Sequence, residues 1–70
     1  MINYIERTFL KMEELMKSKG YLPNCYIYRD SYDGDFIVWI HSLTEVLDER
    51  FRDKHLRTAL RKAYKFVEEL

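Results

Sequence analysis

The chain has 70 residues, with 12 Lys and Arg balanced by 12 Asp and Glu, and a formal net charge of zero. A chain this short makes one small domain that buries only about 60% of the surface its unfolded form exposes, so its stability margin is narrow. Hydrophobic residues make up 47% and charged residues 34%, with only 2 Gly and 1 Pro, which excludes a disordered or collagen-like chain because enough apolar surface exists to offset ordering entropy.

The first segment reads as a helix over about 3–19. Ile2, Ile5, Phe9, Met12 and Met16 recur at helical spacing and share one stripe. Asn3 can cap its start, with Glu6 reaching back three residues later. Gly20 supplies the left-handed residue that ends helices, and Lys17 and Lys19 suit the negative end of the dipole.

A hairpin over about 24–41 follows. Two β-rich runs, Cys25 to Asp30 and Phe36 to His41, flank Ser31-Tyr32-Asp33-Gly34, and Asp33-Gly34 is a strong tight-turn signal. A two-residue loop would set Tyr28 opposite Trp39. A four-residue loop would change the partners but keep the same residues on each face. One face carries Cys25, Ile27, Phe36, Val38 and Ile40, and the other carries Tyr26, Tyr28, Ile37, Trp39 and His41. Both faces are apolar, so either helices sandwich the sheet or a second chain covers the aromatic side.

The remainder reads as two helices. Ser42 and Glu45 resemble a second capping box, and Leu43, Val46, Leu47 and Phe51 define a short helix over about 43–51. Leu56, Ala59, Leu60, Ala63, Val67 and Leu70 define another over about 54–70. On a continuous helix these two stripes would point to nearly opposite sides, so a break is expected around 52–54, with Asp53 as a fresh N-cap. The expected fold is α+β: a single α-β-β-α(α) domain with a β-hairpin packed against helices.

Cys25 cannot form an internal disulfide, being the only cysteine. Cys25 and His41 fall on opposite faces of the hairpin, which keeps a thiolate–imidazole pair apart. Asp30, Asp33 and Asp35 surround the turn at the wrong spacing for a calcium loop, and no zinc, phosphate-loop or serine-nucleophile pattern occurs. No metal, cofactor, small-molecule substrate or catalytic residue is therefore expected, and the expectation is that the chain is not an enzyme. No apolar run approaches the roughly 18 residues of a membrane span. The N-terminus lacks a basic segment followed by an apolar core. The expected setting is soluble and cytoplasmic, with no membrane partner.

Two surfaces invite a partner. Tyr26, Tyr28, Ile37 and Trp39 form an aromatic sheet face of the type favoured at protein interfaces. Lys54, Arg57, Arg61 and Lys65 form one stripe of the last helix, able to track phosphates. Charge is segregated along the chain: 30–49 hold six acids and no Lys or Arg, whereas 50–65 hold seven cations against Asp53. Acidic and basic segments can meet within the fold or between subunits, and the acidic stretch could alternatively occupy a basic groove on a partner, as an inhibitor would.

The runs Tyr26-Ile27-Tyr28, Asp33-Gly34-Asp35-Phe36-Ile37-Val38-Trp39 and Leu56-Arg57-Thr58-Ala59-Leu60-Arg61-Lys62-Ala63 resemble, over about 22–70, the small α/β sandwich proteins encoded by bacteriophages and prophages. That resemblance implies a non-enzymatic accessory protein that binds another protein. The leading expectation is a small interaction or regulatory module, homodimeric through its sheet by pairing of strand edges or packing of aromatic faces. The alternative is a nucleic-acid binder using Lys54, Arg57, Arg61 and Lys65.

Overall fold

In the computed structural model, which describes residues 3–70, the first helix, α1, runs Tyr4–Ser18. The Asn3 side chain accepts from the Glu6 amide at 2.9 Å, closing the expected N-cap. At the other end Gly20 adopts φ +90°, and the Tyr21 amide turns back to the Met16 carbonyl at 3.0 Å. Met12 and Met16 are fully buried, with Ile5 and Phe9 packed against the core they join. Ile2, expected in the same stripe, lies outside the described residues.

The hairpin forms with β1 at Tyr26–Arg29 and β2 at Phe36–His41. Its loop has four residues: Asp30 and Asp35 still pair, through an amide–carbonyl bond of 2.7 Å. Tyr26 therefore faces Trp39, and Tyr28 faces Ile37. Two Asx turns shape the loop, with Asp30 accepting from the Tyr32 amide at 2.8 Å and Asp33 from the Asp35 amide at 2.9 Å. Gly34 sits at φ +81°, a left-handed conformation that favours glycine.

The segment expected as a short helix over 43–51 is instead a turn followed by a third strand, β3, at Asp48–Asp53. Ser42 does accept from the Thr44 and Glu45 amides, at 3.3 and 3.4 Å, so the local capping chemistry is present, but no helix follows it. The competing demand is that of β2. An apolar central strand cannot leave its second edge of N–H and C=O groups unpaired, and 48–53 satisfies that edge along its length. Leu43 and Val46, two of the four residues of the expected stripe, are exposed as a result. Phe51 instead lies opposite Val38 and stacks on Phe66 with centroids 5.3 Å apart.

The last helix, α2, runs Leu56–Glu68. Its N-cap is His55 rather than Asp53, without a side-chain cap bond. Asp53 ends β3 and accepts from the His55 amide at 2.9 Å, bending the chain into the helix. The order is thus α-β-β-β-α, an α+β domain whose sheet is an antiparallel β1-β2-β3 meander.

Both helices cover the same sheet face. Met12 and Met16 from α1, Val38 and Ile40 from β2, and Ala59, Leu60, Ala63 and Val67 from α2 form one buried cluster. The alanines let α2 approach the sheet closely, while each fully buried aliphatic side chain contributes about 1.5–3 kcal/mol. Lys19 ties the helix ends together, its ammonium donating to the Glu68 carbonyl at 2.7 Å. Among the described residues, no helix lies on the opposite face of the sheet. No helix is long and apolar enough to cross a membrane among the described residues.

Candidate interaction surfaces

Strand alternation puts Tyr26, Tyr28, Ile37, Trp39 and His41 on the open face, as their register partners across the sheet require. Ile37 is buried at 3% exposure, whereas Tyr26 and Tyr28 remain 47% and 41% exposed. The centre of this face is thus already dry and its aromatic rim is wet. The four residues expected to form an interface are brought together here.

β3 adds Asp48 and Arg50, which the expected 43–51 helix contains, and Arg52, which falls in the expected break at 52–54. Asp48, Arg50 and Arg52 lie opposite His41, Trp39 and Ile37 and therefore share the open face. The Arg50 guanidinium stacks 4.3 Å from the Trp39 ring, and the Trp39 indole N–H donates to Asp48. Asp48 also holds Arg50 at 3.5 Å. On its other side Trp39 meets Tyr26, with centroids 5.5 Å apart, and His41 at 5.6 Å. Tyr26 is itself fixed by a hydroxyl donated to Asn24 at 2.8 Å. These contacts hold the aromatic rings in place without covering them.

The acidic and basic segments meet at the end of this face. Arg52 reaches Asp33 at 2.8 Å, Asp30 at 3.3 Å and Asp35 at 3.5 Å. Hydrogen bonding by the Tyr32 amide, with Arg52 close by, holds the Asp30 carboxyl below the usual carboxylate range. The loop aspartates are therefore directed to a guanidinium of their own chain, which leaves less of their charge for a partner's basic groove. Among the described residues, no three His, Cys, Asp or Glu side chains are grouped to hold a metal ion.

Cys25 is half-buried on the helix side, its sulfur 3.5 Å from that of Met16. Burial pushes its thiol up from the ordinary value. The His41 ring lies across the sheet from it, near the Asn24 amide at 3.3 Å, so the thiol and imidazole are not paired.

The basic stripe lies on the far side of the molecule. Arg57, Arg61 and Lys65 project from one side of α2, with Lys54 just before it. Arg57 covers the Tyr4 ring at 4.6 Å. Lys11, which the sequence reading did not single out, joins Arg61 and Lys65 around a groove between the helices. The spacing of Tyr4, Thr8 and Lys11 was the available signal, since it places all three on one side of α1.

The chain matches no family model, no curated protein and no solved structure.

Proposed function

We propose that this chain is a small non-enzymatic interaction module that self-associates through the open face of its sheet, with Tyr26, Tyr28 and Trp39 as anchors around Ile37. The observation that carries this reading is the uncovered aromatic face itself: both helices pack on the opposite side, leaving Tyr26 and Tyr28 nearly half exposed beside a buried isoleucine. Rigid aromatic side chains are the usual energetic centres of interfaces, and prior fixing of their rotamers reduces the ordering cost of association.

Packing of faces is favoured over pairing of strand edges. The Lys62 ammonium donates to the Arg52 carbonyl at 3.2 Å and to Asp53 at 3.3 Å, laying a charged side chain across the end of the β3 edge. Such lysines oppose strand addition. The other edge, β1, offers only four residues. Two copies related by a two-fold axis would bring the aromatic centres together. As an accessory protein of the kind its resemblance implies, the module would act through assembly rather than turnover.

The test is solution mass by sedimentation for the native chain and for a Tyr28→Ala, Trp39→Ala double variant. The native chain should dimerise, and the folded double variant should shift the equilibrium toward monomer at matched concentration. Unchanged assembly in a folded double variant would remove this face from the interface.

A further inference from the structure

The helix side of the molecule carries a second surface, independent of the sheet-face reading. Tyr4 and Lys11 of α1 face Arg61, Tyr64 and Lys65 of α2 across an open groove of about 430 Å³. A second groove of about 570 Å³ continues from it along α2, with Arg61 shared between them and Lys54 and Arg57 beyond. From Arg57 to Lys65 the row of cations extends about 12 Å at the helical rise, with Lys54 just before the helix.

The electrostatics of the two sides differ sharply. Arg50, Arg52 and Lys62, on or beside β3, are all ion-paired. Lys11, Lys54, Arg57, Arg61 and Lys65 are all exposed, and among the described residues none of them has a carboxylate within ion-pair distance. Glu68 is the acid among the residues lining the first groove. Zero net charge therefore conceals an acidic sheet side, whose β3 cations are paired, and a positive helix side. Unpaired cations in a row repel one another, and a polyanion relieves that repulsion while releasing its own counterions.

A compact anion would engage one groove and leave the rest of the row unused. An extended chain of phosphates uses both grooves, with arginine forks matched to phosphate oxygens and the Tyr64 ring available to a sugar or base. We infer that this helix side binds the phosphodiester backbone of a nucleic acid, with Arg57, Arg61 and Lys65 on one wall of the groove and Lys11 on the other.

The experiment is titration of the full chain into a labelled mixed-sequence oligonucleotide, single-stranded and duplex, across a salt series. With all five cations engaged, the slope of log K against log salt should be about −3.5 for a single strand and about −4.5 for a duplex. Whichever form binds more tightly identifies the strand type. An Arg57→Glu, Arg61→Glu variant, folded by circular dichroism, should weaken binding about tenfold or more and flatten the slope by about two. Lys11→Glu should flatten it by about one further, and Trp39→Ala should leave it unchanged. Absence of binding at low salt would overturn the inference, as would binding indifferent to these charge reversals. Indifference to Lys11→Glu alone would also contradict the two-walled groove. Equal competition by poly-glutamate would overturn it in favour of an acidic protein partner.

Discussion

Gly34 and the aspartates around it show how single side chains set the geometry of the sheet. The four-residue loop requires a residue at φ +81°, and a Cβ there would meet only the Arg29 guanidinium at 3.6 Å. Space is thus available, and the penalty is conformational. Gly34→Ala should cost about 1–2 kcal/mol, read as a lower urea midpoint at unchanged slope. An unaltered midpoint would mean that the loop tolerates another turn. Asp30 and Asp53 each accept a backbone N–H, from Tyr32 and His55 respectively, and each lies beside a cation, Arg52 or Lys62. Both carboxyls are lowered from their ordinary value. A folded pKa below the unfolded one stabilises the fold fully above the unfolded carboxylate value, about 3.9, and that contribution is lost as pH falls through the folded values. Carboxyl-carbon NMR should therefore show both aspartates titrating below that value, with stability declining through the same interval. Titration at or above it would separate these carboxylates from the turns.

The elements differ in how far local sequence specifies them. Helix α1 was legible because Asn3, the Met12–Met16 stripe and Gly20 all point to the same structure, and α2 because Ala59, Leu60, Ala63 and Val67 leave one face for the core. The hairpin faces were legible from alternation, although the loop length and hence the Tyr26–Trp39 pairing were not. Strand β3 was not legible. Its sequence, Asp-Glu-Arg-Phe-Arg-Asp, has one apolar residue, and Ser42 and Glu45 offered a convincing helix start. What decides the matter is the unpaired edge of β2, a tertiary demand that no window of sequence contains. The same omission hid Asp48, Arg50 and Arg52, the whole contribution of β3 to the open face. The element that holds the layers together is α2, through Leu60 at 1% exposure. Leu60→Ala should lose about 2–5 kcal/mol, a large share of what so small a domain can possess. Calorimetry giving a loss below 1 kcal/mol, a small-effect threshold by the same scale, would mean that the helices do not depend on this contact.

At the scale of the whole molecule, the fold separates two chemistries that the sequence places side by side. Residues 48–53 and 54–65 are adjacent in the chain, yet Arg50 and Arg52 end on the aromatic sheet face paired with carboxylates, while Arg57, Arg61 and Lys65 end on the opposite side with no ion pair among the described residues. A module built this way can join copies through one surface and keep the other free for a polyanion. The separation also makes the two readings testable independently, because substitutions on one face leave the other intact.

The most direct measurement is an NMR dilution series of the native chain, following the Trp39 indole and the Tyr26 and Tyr28 rings alongside the amides of α2. The account predicts concentration-dependent shifts concentrated on the three aromatic side chains and on Arg50 and Arg52, with α2 unchanged. Shifts confined to the helices, or none at any concentration, would contradict self-association through the sheet.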